Sequence, residues 1–168
     1  MQQLTINNNV YEPKFNFAFY KQVSKDMATD SQDGFTVLIQ QLVSDDVSSI
    51  IKAYYYGMAW YKRNQPTMEQ IEEALENTVF ASDEETEKAT EEILKDLAGN
   101  NFLARIISNY IKDTNNSLDI MQARLEKEPE NSDKRQNLEI GLKVSQDQLN
   151  KLRTLTGCGL TQSPMADK

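Results

Sequence analysis

The sequence predicts a mainly α-helical protein with a small N-terminal β-hairpin, in which a compact helical domain is followed by a C-terminal helical hairpin or extension. Three observations predict it. Apolar residues recur at helical spacing from Phe19 onward, and Ser, Thr, Asn or Asp stands ahead of most of these runs, where N-caps belong. The 168 residues include only 6 glycines and 4 prolines. Strand-like alternation is confined to residues 3–13.

In that opening stretch Leu4 and Ile6 precede an asparagine cluster, and Val10 and Tyr11 follow it. Asparagine tolerates the left-handed backbone of a tight hairpin turn, so a short β-hairpin is predicted around Asn7-Asn8-Asn9, and Pro13 ends the second strand or confines it to an edge. Asn16 then caps a helix with the face Phe19, Tyr20, Val23 and Met27, and Phe15 and Tyr20 are spaced as a hydrophobic staple. After Asp30-Ser31-Gln32-Asp33-Gly34, the residues Phe35, Leu38, Ile39, Leu42 and Val43 predict a helix of about two turns.

Asp45 or Asp46 caps the next helix. It carries Val47, Ile50, Ile51, Tyr54, Met58 and Tyr61 on one stripe and Ala53, Tyr56 and Trp60 on another, so it is expected to be the central helix of the core. Gly57 lies within it, either to admit a close neighbour or incidentally. Thr67-x-x-Gln70 and Ser82-x-x-Glu85 form two capping boxes, opening helices that bury Ile71 and Leu75, then Ile93, Leu94 and Leu97, with Gly99 at the C-cap. A longer helix begins at Phe102, with Leu103, Ile106, Ile107, Tyr110, Ile111, Leu118, Met121 and Leu125 apolar and a polar middle, Lys112 to Ser117, where a kink or fraying is expected. Glu126-Lys127-Glu128-Pro129-Glu130-Asn131 breaks it. Ser132 or Asp133 caps a last helix bearing Leu138, Leu142, Leu149 and Leu152. The expected organisation is a helical domain over 1–112, a helical extension over 113–155 and a flexible tail over 156–168.

The net charge of −8 is concentrated: residues 69–96 hold eleven acids and two lysines. Such a segment repels a phosphate backbone, so no nucleic-acid partner is expected. It reads as a solvated helix face or as a docking surface for a basic partner. There is no histidine, and Cys158 is the single cysteine, so histidine-based triads, Cys/His zinc sites and internal disulfides are excluded. Glu72, Glu73 and Glu76 share neighbouring helix positions but lack the histidines that dimetal carboxylate bundles recruit. No phosphate loop or nucleophile elbow is present, and Cys158, between two glycines, reads as an incidental exposed thiol. The expectation is a non-enzyme with no catalytic, cofactor-binding or metal residues and no cofactor. The start Met1-Gln2-Gln3-Leu4-Thr5 is unlike a signal peptide, and no apolar run is long enough to span a bilayer, so a cytoplasmic location with no membrane partner is expected.

Tyr and Trp are enriched at binding hot spots, which makes Tyr55, Tyr56 and Trp60 the candidate protein-interaction residues. Tyr54 and Tyr61 are read as core, with Tyr55 open between the two roles.

The opening Leu4-Thr5-Ile6-Asn7-Asn8-Asn9-Val10-Tyr11-Glu12-Pro13-Lys14-Phe15 resembles the Leu-x-Ile-Asn-Gly-Lys-x-Tyr-x-x-Lys-Phe beginning of tail assembly chaperones from siphophages of Gram-positive bacteria, with Asn8-Asn9 taken to stand where many members have Asn-Gly. The aromatic helix, Arg63-Asn64-Gln65-Pro66-Thr67 and Glu69-Gln70-Ile71-Glu72-Glu73-Ala74-Leu75 resemble the same family's Lys-x-x-Pro-Thr-x-Glu-x-Ile-Glu segment, and the likeness extends over residues 1–112. The resemblance implies a helical protein that coats the tape measure protein before the tail tube polymerises and then leaves. It further implies self-association into homo-oligomers, a second product made by frameshifting, recruitment of tail tube protein, and a place in the host cytoplasm. The competing readings are a structural head–tail connector or completion protein and a non-catalytic cytoplasmic adaptor.

Overall fold

A computed structural model of the chain describes residues 1–129 and 132–158. The chain falls into two compact units, Met1–Leu103 and Ala104 onward, and the division lies in the first turn of a helix.

In the first unit, strand β1 (Leu4–Ile6) pairs antiparallel with β2 (Asn9–Tyr11) in the register Leu4 to Tyr11, Thr5 to Val10 and Ile6 to Asn9. Leu4 and Ile6 are buried and Thr5 is exposed, which sets the inward face of the hairpin. The turn residues are Asn7 and Asn8, at φ 50° and 61°. A two-residue hairpin turn of this kind needs positive φ at both positions, and the inward register of Ile6 leaves only Asn7 and Asn8 to supply it. Asn9 is already in the strand, where its side-chain amide donates to the Asn7 carbonyl at 3.1 Å.

Helix α1 (Phe17–Asp26) starts where predicted: the Asn16 side chain accepts the Phe19 N–H at 3.1 Å. Phe19 and Val23 are buried, and Met27 is the C-cap. The staple partner differs, because Phe15 packs its ring on Phe19, with centroids 4.6 Å apart. Helical side chains lean back toward the N-terminus, so the third helical position meets the chain entering the helix. Tyr20 instead lies against Phe35 at 5.5 Å and Phe102 at 5.0 Å.

Helix α2 (Gly34–Val43) is capped by Asp33 and buries Phe35, Leu38, Ile39, Leu42 and Val43. A Cβ on Gly34 would fall 2.1 Å from the Val23 carbonyl oxygen, so only glycine allows this approach to α1.

Asp46 caps α3 (Val47–Gly57), while Asp45 turns the chain ahead of it at φ 57°. The expected aromatic helix does not continue through Tyr61. It stops at Gly57 and Met58, and a 3-10 helix, Ala59–Asn64, follows with a kink at Lys62. The reason is the chain leaving the hairpin: Lys14 donates its N–H to the Gly57 carbonyl at 2.7 Å, and Pro13 Cβ lies 2.9 Å from where a Gly57 Cβ would be. Gly57 therefore admits an extended segment, at the end of the helix. Val47 is also exposed, so the buried stripe runs Ile50, Ala53, Tyr54.

Helix α4 (Met68–Glu76) opens with a complete capping box between Thr67 and Gln70 and buries Ile71 and Leu75. Helix α5 (Asp83–Gly99) is capped by Ser82, which accepts the Glu85 N–H at 3.2 Å, and buries Ile93, Leu94 and Leu97. Gly99 is the last helical residue rather than a left-handed cap, and Asn100 follows in extended conformation. Asn100 serves the next helix: its side-chain oxygen accepts from the Phe102 and Leu103 N–H groups, and its amide donates to the Phe15 carbonyl at 2.8 Å.

Helix α6 (Asn101–Leu125) continues unbroken through the polar segment in which a kink was expected. Asn115 and Ser117 donate back to the carbonyls of Ile111 and Asp113, so the polar side chains bond within the helix. In the second unit α6 forms a helical hairpin with α7 (Asp133–Thr156), which Ser132 caps. Ile107, Ile111, Leu118, Leu125, Leu149 and Leu152 are buried there. Arg135 fastens the connection, donating to the carbonyls of Leu125 and Glu128 and pairing with Glu139 at 2.9 Å.

Cys158 is buried, in contrast to the exposed thiol expected: Gly157, at φ 65°, caps α7 and turns the chain so that Sγ lies 3.7 Å from the Ala104 carbonyl. Thr156 ends the helix. Residues 159–168 of the expected tail, and Glu130 and Asn131 of the expected break, lie outside the described residues.

Candidate functional site

Among the described residues no group of three or more Cys, Asp or Glu side chains is placed to hold a metal ion, and Glu72, Glu73 and Glu76 do not converge on one. A cavity of about 30 Å³ lies beside Gln2, Tyr54 and Glu92, room for about one water molecule. A wider open cleft of about 450 Å³ on the second unit is lined by Arg124, Lys127, Lys134 and Leu138.

The surface chemistry of the first unit is more informative. Of the eleven acids between residues 69 and 96, eight are exposed and Glu72, Glu91 and Glu92 are half-buried, so α4 and α5 present a solvated acidic face. Two of its charges meet lysines, Glu91 with Lys95 at 2.8 Å and Glu85 with Lys88 at 4.0 Å, and Asp96 pairs with the Met1 ammonium.

Two aromatic clusters lie elsewhere. In the first, the indole of Trp60 lies 3.9 Å from the Tyr61 ring, Tyr61 meets Tyr11 edge-on at 5.0 Å, and the Lys14 ammonium sits 4.3 Å above Trp60. Trp60 Nε1 donates to the Glu12 carbonyl, and the Glu12 N–H donates to the Tyr61 hydroxyl, each at 3.0 Å. This cluster clamps the segment leaving the hairpin onto the 3-10 helix.

The second cluster faces solvent. Phe17 is 66% exposed and Phe102 41% exposed, and their ring centroids are 5.7 Å apart. Tyr20 lies beneath both, 6.3 Å from Phe17 and 5.0 Å from Phe102, and rests on the buried Phe35. The two exposed rings and Tyr20 form a contiguous apolar patch on an acidic protein.

A family model for the phage tail assembly chaperone protein, TAC, matches residues 3–112. The chain belongs to the phage tail assembly chaperone family. No curated protein and no solved structure matches it. The chaperone match runs from the hairpin into α6, so both aromatic clusters and the acidic face lie within it.

Of the residues singled out in the sequence of this chaperone, Tyr56 is buried, with 8% of its surface exposed, while Tyr55 and Trp60 are half-buried. The structure brings Tyr55 and Tyr56 together edge-on at 5.3 Å and places Trp60 in the clamp with Tyr61. Tyr56 ionises above the usual tyrosine range, chiefly because burial disfavours the phenolate, with Asp26 and Tyr55 adding to the effect. Sequence reasoning missed Phe17 and Phe102. The available signal was local: Phe17 falls outside the α1 stripe of Phe19 and Val23, and Phe102 outside the Leu103, Ile107, Ile111 stripe of α6.

Proposed function

We propose that the chain acts in the host cytoplasm as a non-catalytic chaperone of the tape measure protein during assembly of a long-tailed phage of a Gram-positive bacterium. It associates with that client, helps recruit tail tube protein, self-associates into homo-oligomers and is absent from the finished virion. The observation that carries this reading is the exposed aromatic patch of Phe17, Tyr20 and Phe102 on a unit whose α4–α5 face is acidic. Apolar surface gives an aggregation-prone helical client something to bury, and a strongly charged face keeps the complex soluble. Tyr55 and Trp60 supply further aromatic area for self-association or client contact.

Co-expression with the tape measure protein of the same genome tests this. The client is expected in the soluble fraction, bound to this chain, and in the insoluble fraction when the chain is left out. Equal client solubility with and without the chain would sink the proposal.

A further inference from the structure

We propose that the exposed face of α1, running from the Phe17–Phe102 patch along Lys21 and Lys25, receives an amphipathic helix of the client that carries acidic side chains one and two turns beyond an apolar anchor. This inference rests on the chaperone reading above and assigns that reading a surface.

Lys21 and Lys25 follow Phe17 at four and eight residues, so they lie about 6 and 12 Å further along the same helix face. Both are exposed, and neither takes part in an ion pair among the described residues. The single acid of α1 is Asp26, its last residue. The patch is already packed at its base, with Tyr20 held between Phe35 and the two exposed rings, so little side-chain freedom is lost when a partner covers it. An apolar anchor would cover Phe17 and Phe102, and carboxylates at i+4 and i+8 would meet the lysines.

A second copy of this chain fits the surface less well. Its acidic helices α4 and α5 present no exposed large apolar residue among those described, so they would match the lysines and leave the rings uncovered. Of its other exposed apolar residues, Ile140 and Val144 on α7 lie beside Lys143 as well as Glu139 and Asp147, and Ile120 on α6 is followed one turn on by Arg124. Val47 on α3 is followed at four and eight residues by Ile51 and Tyr55, and Val10 stands in a strand.

The test is co-purification of the tape measure protein with the wild-type chain, with Phe17→Ser and with the double variant Lys21→Glu/Lys25→Glu, while thermal melting confirms that each variant is folded. Each variant is expected to lower captured client by about tenfold or more, as loss of one interface hot spot does. Lys21→Arg/Lys25→Arg is expected to retain capture, and raised salt to weaken it. Undiminished capture by both variants overturns the surface assignment and leaves the chaperone reading standing. Failure of the wild-type chain to capture the client overturns both. Variants that reduce the oligomeric mass of the chain alone, with capture unchanged, assign the face to self-association and also overturn the proposal.

Discussion

Lys62 adopts φ 57° and ψ −116°, a backbone region that a residue with a Cβ rarely occupies. Such a conformation costs on the order of 1–3 kcal/mol, and it persists because the Trp60–Tyr61 clamp on one side and the Gln65 N–H bond to the Lys62 carbonyl on the other hold the chain in place. Lys62→Gly removes the steric penalty and adds some unfolded-state entropy, for a net gain of about 1 kcal/mol. Thermal denaturation should show this as a rise of roughly 2–4 °C in Tm. Tyr54 offers a second residue-scale prediction. Its hydroxyl is pushed up to about 12 by burial, opposed by a backbone hydrogen bond with Gln2 and reinforced by Glu92 and Asp96. In the unfolded chain a tyrosine titrates near about 10. The native state therefore holds its proton more tightly, and the associated stability is complete below about pH 10 and lost as pH rises toward 12. The loss is about 2–3 kcal/mol. Urea titrations on both sides of that window should show it in the wild type, and Tyr54→Phe should flatten the difference.

At the scale of elements, the joints decide more than the helices they connect. Asn100 bonds the Phe102 and Leu103 N–H groups and the Phe15 carbonyl together, so it starts α6 and ties it to the entry of α1. Asn100→Ala is expected to cost about 1–2 kcal/mol, read as a lower urea midpoint, and to expose the Phe17–Phe102 patch to rearrangement. Gly34 is a stricter joint, because the obstacle is the Val23 carbonyl, which is backbone and cannot rotate away. Gly34→Ala should lower stability by about 2–4 kcal/mol, measurable in the same titration. Helix starts were legible in the sequence because a cap is a local bond: Asn16, Asp46, Thr67, Ser82 and Ser132 all accept the N–H of a residue two or three places on. Helix ends were less so. Gly57 stops α3 because Lys14 and Pro13 arrive from 43 and 44 residues away, and no local pattern announces that.

At the scale of the whole molecule, the proposed role carries the expectation that the chain does not remain in the particle. Mass spectrometry of purified virions is expected to find the tape measure protein and not this chain, whereas a connector or completion protein would be present in stoichiometric amount. Each of the two units has its own buried core, the first around Phe19, Phe35, Tyr54 and Leu97, the second around Ile111, Leu118 and Leu149. The family match covers the first unit nearly whole and stops at residue 112, within α6.

By itself the sequence determined what depends on neighbours along the chain: the helical class, the hairpin, the caps, the acidic character of residues 69–96 and the motif order that marks the family. Periodicity and capping are properties of segments a few residues long. Only the tertiary structure decided which aromatic residues meet at the surface. Trp60 is half-buried with its indole N–H bonded to the Glu12 carbonyl and Tyr56 is buried, whereas Phe17 and Phe102, 85 residues apart, meet on the surface. Exposure of an aromatic ring depends on what distant segments leave uncovered, and that is set when the helices pack.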